Sequence, residues 1–325
     1  MKKQIITLLT LTLVMGVNTV TSSVLAQEKK QEQPIHILLF KRGVERFKNE
    51  KYKEAIADFT RIINMKKNLG EAYYNRASAY KELKQYDLAI ADYTEALNYS
   101  NEADIYIARA ILYTEVEKYP EAIKDYSAAI QQKSDDTLLY YKRGELRQKI
   151  KDFTGAIEDY SVILKNGDNN AQVYVKRGIS LGEIGVYDQA ISDFDQAIEI
   201  EPELVIAYQN RGIVKRKSGD LPGAMADYNQ AIQIDANNPE PYYHRGVLLQ
   251  LMTDTEAAMK DYNQAIKLNP NYAEAYGNRA LIFYLKGNKP EAIEDIKLAA
   301  RLFNQQKSIP DYQKAVQFLR QMLTE

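Results

Sequence analysis

An arginine next to a glycine can hold a phosphate or an RNA backbone. The guanidinium offers oxyanions a planar fork, and glycine lets a ligand come close to the main chain. The sequence repeats this pairing: Lys41-Arg42-Gly43, Lys142-Arg143-Gly144 and Lys176-Arg177-Gly178, then Asn210-Arg211-Gly212 and His244-Arg245-Gly246. Asn75-Arg76-Ala77, Ala108-Arg109-Ala110 and Asn278-Arg279-Ala280 keep the arginine beside alanine. Other reactive residue types are sparse. There is no cysteine, so thiolate chemistry and disulfides are excluded, and His36 and His244 lie far apart with no evident partner for metal binding or nucleophilic work. No catalytic residue, cofactor or metal site is expected, and His244 reads as a solvent-facing filler.

The arginines keep a strict period. Arg42, Arg76, Arg109, Arg143, Arg177, Arg211, Arg245 and Arg279 are 34 residues apart, except for 33 between Arg76 and Arg109. Sixteen residues after each comes an aspartate: Asp58, Asp92, Asp125, Asp159, Asp193, Asp227, Asp261 and Asp295. An arginine waiting for an external anion needs no carboxylate at a fixed distance. The expectation is therefore a structural ion-pair ladder. Whether each arginine pairs within its own copy or an aspartate reaches the next copy's arginine stays open at this level.

The period also defines the elements that place these residues. In the copy starting at Ala171, Tyr174, Gly178 and Leu181 recur at helical spacing. After a break around Gly185, Ala190, Phe194 and Ala197 repeat that spacing, so each copy reads as two antiparallel helices. Alanine recurs early in the second helix as Ala55, Ala89, Ala122, Ala156, Ala190, Ala224, Ala258 and Ala292, opposite glycine or alanine in the first, which predicts small facing small at a close crossing. Pro120, Pro222 and Pro290 suit second-helix starts, and Pro202 and Pro270 suit stops.

Period, aromatic, small residue, alanine and terminal proline together resemble the tetratricopeptide repeat family, with eight copies over residues 36–306, starting near 36, 70, 103, 137, 171, 205, 239 and 273. Tyrosine mostly replaces the family's usual tryptophan, and arginine stands where leucine is usual. The resemblance implies an all-α fold, a right-handed α-solenoid superhelix of antiparallel helix pairs. The segment 307–325 is a candidate C-terminal capping helix, with Tyr312, Ala315, Val316, Leu319, Met322 and Leu323 on one face and Gln313, Lys314, Arg320 and Gln321 outward.

The resemblance further implies a non-enzymatic scaffold that binds a protein or peptide partner in a concave groove lined by the first helices. Carried over by position, the groove takes Phe40, Val44, Phe47, Tyr74, Ser78, Ile107, Ile111 and Tyr141 from the first half of the chain. From the second half it takes Glu145, Val175, Ile179, Ile213, Tyr243, Val247, Leu281 and Tyr284. The lysine, asparagine and arginine clamp with which one family subtype holds acidic chaperone tails is missing: Phe40, Val44, Tyr74, Ser78, Ile107 and Ile111 occupy such places. The other readings are a membrane-tethered envelope assembly factor and a non-enzymatic carrier of a lipid or glycan.

Residues 1–26 combine Lys2-Lys3, an uncharged apolar run and a small residue at Ala26, the pattern of a secretory signal peptide. Residues 27–35 form a polar linker. The expected location is periplasmic or secreted, and an uncleaved segment would instead anchor the chain in a membrane. Without residues 1–26 the chain has 41 basic and 44 acidic residues, a net charge of −3 that argues against a nucleic-acid partner.

Overall fold

The structure is a computed structural model describing residues 33–167 and 169–324. The candidate signal segment and most of the linker lie outside the described residues. Helices α1 (Ile35–Lys48) and α2 (Tyr52–Asn64), α3 (Leu69–Glu82) and α4 (Tyr86–Leu97), α5 (Ala103–Glu115) and α6 (Tyr119–Gln132), and α7 (Thr137–Lys149) and α8 (Phe153–Lys165) form four pairs. Four more follow: α9 (Ala171–Glu183) with α10 (Tyr187–Ile200), α11 (Val205–Ser218) with α12 (Leu221–Ile234), α13 (Pro239–Leu251) with α14 (Thr255–Leu268), and α15 (Ala273–Leu285) with α16 (Lys289–Gln305). Helix α17 (Ile309–Thr324) closes the array. There is no strand among the described residues.

Each helix packs on the next in sequence, and first helices of neighbouring pairs also meet, α1 with α3, α9 with α11 and α11 with α13. Second helices of neighbouring pairs do not approach one another as closely. The first helices are therefore the more closely packed layer in those copies, and the contacts run only between neighbours, as expected of a solenoid.

One turn recurs in each of the eight pairs. The residue at Glu50, Lys84, Glu117, Lys151, Gly185, Gly219, Thr253 or Gly287 has a left-handed backbone. The next residue's N–H returns five residues to a first-helix carbonyl at 2.8–2.9 Å, from Lys51 to Arg46 through to Asn288 to Phe283. This pairing stops the first helix and satisfies one of its free carbonyls. Asp152, Asp220 and Asp254 then cap their second helices by accepting from a backbone N–H three residues on. Pro120, Pro222 and Pro290 sit in first turns.

The core corrects one expectation. All eight second-helix alanines are fully buried, but the first-helix glycine faces mainly an aromatic ring one turn beyond the alanine. A Cβ at Gly178 would lie 3.0 Å from the Phe194 ring and 3.3 Å from the Ala190 carbonyl, and one at Gly212 would lie 2.6 Å from the Tyr228 ring. Small faces large: glycine lets the buried ring reach the first-helix backbone, and the fully buried rings Phe59, Tyr160, Phe194, Tyr228 and Tyr262 fill that space.

Helix α17 covers the last pair, burying Ala315 and Met322 against a cluster that includes Phe303. Phe318 joins that face, its ring edge-on to Tyr284 at 5.6 Å, whereas Leu323, expected on the same face, is 61% exposed. Gln313, Lys314, Arg320 and Gln321 face solvent.

Candidate functional site

The arginines and aspartates pair within their own copies. In every copy the arginine Nε donates to one aspartate oxygen at 2.7–3.0 Å and Nη2 to the other at 2.6–2.8 Å, from Arg42 with Asp58 to Arg279 with Asp295. The aspartates are buried. From Arg76 onward the remaining Nη1 donates backwards to the preceding pair's second helix, to Thr60, Thr94, Ser127, Ser161, Asp195, Asn229 and Asn263 in turn, at 2.5–3.1 Å. A tyrosine three residues before the arginine lies against the guanidinium at 5.3–5.9 Å, in an unbroken series from Tyr73 to Tyr276. The hydrogen bond to its aspartate raises the pKa of Arg76, Arg177 and Arg245 above the ordinary arginine value against the opposing effect of burial. These guanidiniums are occupied on the fork and on the back. Arg42, with no preceding described pair, is 47% exposed.

Three further cations reach the same aspartates: Arg46 on Asp58 at 2.6 Å, Arg147 on Asp159 at 3.0 Å and Lys215 on Asp227 at 3.0 Å.

The residues carried over to the groove lie in the first-helix layer. Phe40, Tyr74, Tyr141 and Tyr243 are half-buried, each with its ring 5.5–6.1 Å from its own copy's buried ring, Phe59, Tyr93, Tyr160 and Tyr262. Phe47 packs edge-on to Tyr52, and Tyr284 bridges to α17. Val44, Ile107, Ile179, Ile213, Val247 and Leu281 are half-buried, and Ile111 is 42% exposed. Val175 differs: it is 1% exposed and packs with Ala207 and Val214, so it belongs to the core between pairs. Glu145 bonds to Lys176 of the next copy, and Ser78 shares a hydrogen bond with Tyr93.

His244 is not solvent-facing. Its side chain is 19% exposed, its ring stacks on Tyr228 at 6.0 Å and meets Tyr243 edge-on at 5.1 Å. Burial and then the charge of Arg216 push its pKa down to about 4, although Glu240 stands 3.7 Å away. Beside it a cavity of about 340 Å³ is lined by Glu240, Tyr243, His244, Tyr272 and Glu274, with Asn269, Asn271 and Gln306 completing the wall. Tyr272 donates its hydroxyl to Glu240 at 2.7 Å, and Asn278 donates to the Tyr243 hydroxyl at 3.4 Å. Sequence reasoning passed over Arg216, Tyr228, Tyr272 and Asn278 because none breaks the repeat's apolar pattern. The available signal was position: glutamine stands twelve residues before the buried tyrosine in two copies, and arginine in one.

Two family models match the chain. One, described as tetratricopeptide repeat, matches residues 70–102 and 171–204; the other, described as TPR repeat, matches 110–151, 214–252 and 254–287. Together they span more than half of the chain. No curated protein matches it. Among solved structures, the C-terminal part of a TPR repeat-containing protein from Cytophaga hutchinsonii is 22% identical with a TM-score of 0.58, covering 73% of this chain and 97% of that one. A tetratricopeptide repeat protein from Parabacteroides merdae is 20% identical at 0.50, covering 76% and 98%. The Cut9–Hcn1 hetero-tetramer of the APC/C is 16% identical at 0.55, covering 88% and 55%. At such identities these likenesses concern the fold.

Proposed function

Because the chain belongs to the tetratricopeptide repeat family, whose members generally act as protein-interaction scaffolds, we propose that it is a non-catalytic adaptor that binds a peptide segment or partner helix along its first-helix surface. The observation that carries this reading is the row of half-buried aromatic and aliphatic side chains from Phe40 through Tyr74, Ile107, Tyr141, Ile179, Ile213 and Tyr243 to Tyr284. Each ring is anchored from beneath by packing and still offers part of its area, so little side-chain entropy remains to be lost on binding. The arginines, which first advertise an anion site, are consumed by the ladder, and the acidic balance of the chain adds no attraction for a polyanion.

A photoreactive residue placed at Tyr141 or Tyr243 in the native cell tests this reading. Capture of a protein or peptide there, and not from a probe on the second-helix face, is the expected result. Capture only from the second-helix face removes the groove assignment, and capture of a lipid or glycan alone replaces the adaptor with a carrier.

The export of the chain is part of the same proposal. It rests on the basic, apolar and small-residue pattern of residues 1–26. N-terminal sequencing of the mature protein is expected to start at Gln27, and an intact Met1 in the membrane fraction would indicate an anchored form.

A further inference from the structure

The cavity beside His244 has acidic and aromatic walls and no cation among its lining residues. Glu240 stands one turn before the groove residue Tyr243 on α13, and Glu274 lies in the first turn of α15. The Glu240 carboxylate meets the Tyr272 hydroxyl at 2.7 Å and the His244 ring at 3.7 Å, and neither glutamate has a lysine or arginine partner among the described residues. His244 adds no positive charge near neutral pH, because its pKa is held at about 4. The Tyr243 and Tyr272 rings lie 4.9 Å apart, tilted by 38°. Burial first, then Glu274 for Tyr243 and Glu240 for Tyr272, push both phenols' pKa up, so both rings stay neutral beside the two carboxylates.

Another copy shows how such a carboxylate is satisfied. Asp104 stands five residues before Arg109, as Glu240 does before Arg245, and Lys133, twenty-four residues after that arginine, donates to it at 2.7 Å. At the cavity the place of Lys133 is held by Asn269, a neutral amide. Its side chain accepts from the Asn271 N–H at 3.0 Å, and Gln306 donates to the Asn271 carbonyl at 3.2 Å, so this wall is ordered without the lysine. Tyr272 is also peculiar to this copy: of the eight residues seven places before the ladder arginines, it is the one tyrosine. Two carboxylates that share a cavity repel each other, and tyrosine rings attract positive charge over their faces. We infer that Glu240, Glu274, Tyr243 and Tyr272 form a subsite for one basic side chain, lysine or arginine, on the segment bound in the groove. At about 340 Å³ the cavity suits a single long side chain. A metal ion is the poorer match, since the described residues hold no group of three or more His, Cys, Asp or Glu placed to bind one. The inference rests on the adaptor reading for the origin of the cation.

The full chain is titrated with Nα-acetyl-lysine amide, with Nα-acetylarginine amide, with the uncharged Nα-acetylnorleucine amide and with calcium chloride. The readout is the imidazole NMR signals of His244, which lines the cavity, with His36 as internal control. The subsite predicts a saturable shift of His244 alone with the lysine or the arginine compound, the tighter one identifying the side chain, and none with norleucine. Glu240→Gln keeps an acceptor for the Tyr272 hydroxyl and Glu274→Gln changes an exposed residue, so both should fold. Each should weaken binding by about fivefold. Asn269→Lys restores the residue of the third copy and should weaken binding by about tenfold or more, because an internal ammonium competes at high effective concentration. Circular dichroism of the three variants checks that they fold. No saturable shift with either cation, an equal response to norleucine, tighter binding of calcium, or unchanged binding in all three variants overturns the subsite. Partner capture at Tyr141 without a cation response leaves the groove and removes only the subsite. A cation response without capture from any first-helix probe removes the groove reading instead.

Discussion

Arg245 donates Nε and Nη2 to the two oxygens of Asp261, both at 2.8 Å, and its remaining Nη1 to Asn229 of the preceding copy at 2.6 Å. One side chain on α13 therefore ties α14 in its own copy to α12 in the one before. The period carries the bond along: a Thr, Ser, Asp or Asn stands two residues after each aspartate from Asp58 to Asp261, ready for the next arginine. After Asp295, the last aspartate of the ladder, the same place holds Lys297.

In a linked network, changes at the two partners should not add. Arg177→Ala and Asp193→Ala should each cost about 3 kcal/mol, since each strands a desolvated polar partner. The double variant should cost less than their sum by about 1 kcal/mol or more in chemical denaturation. Additive losses would refute the coupling.

Glycine-to-alanine changes should have opposite signs at two positions. At Gly212 a Cβ would lie 2.6 Å from the fully buried Tyr228 ring, and overpacking should destabilise by about 1–3 kcal/mol despite the better helix propensity of alanine. At Gly277, on α15, nothing lies within 4 Å, so the same change should stabilise by up to about 1 kcal/mol. Melting curves of the two variants decide it, and a common sign would discard this picture of the helix crossing.

The acid response should trace in part to His244. Its pKa falls from 6.5 to about 4 on folding, so between these values the unfolded chain binds more protons than the folded one. The stabilisation present above pH 6.5 is lost as the pH falls toward 4, by up to roughly 3 kcal/mol. Asparagine occupies this place in three other copies, as Asn75, Asn210 and Asn278. His244→Asn should flatten the pH dependence of stability in that window, and an unchanged slope would mean that His244 titrates normally.

Removing a hydroxyl should separate Tyr228 from Tyr262. Tyr262→Phe leaves the Gln250 carbonyl without its donor and should cost about 1 kcal/mol. Tyr228→Phe deletes a buried hydroxyl whose neighbour, Arg216, can only donate to it, and should cost less than Tyr262→Phe. Equal losses in thermal denaturation would refute this difference.

Much of the candidate site was legible from position. Phe40, Tyr74, Tyr141 and Tyr243 share one register, and a residue's place in a repeated helix fixes the layer it occupies. Val175 shares that register and is buried, because Ala207 and Val214 of the next copy close over it; exposure depends on the neighbour's side chains as well as on the residue's own turn of helix. His244 was misread for a related reason. Its place holds lysine, asparagine or, once, alanine elsewhere, and the ring of Tyr228 from another helix turns it inward.

The sequence by itself determined the period, the two helices per copy, the turns and the arginine–aspartate separation. All are local or strictly repeated, so each recurs in every copy whatever surrounds it. Tertiary structure decided which partner each donor has: that the arginine's third nitrogen reaches back one copy, that glycine faces a ring, and that Arg216 lies against the buried Tyr228 hydroxyl. Those outcomes depend on side chains brought within about 3 Å across helix boundaries, a distance at which hydrogen bonds form or fail and which spacing along the chain does not encode.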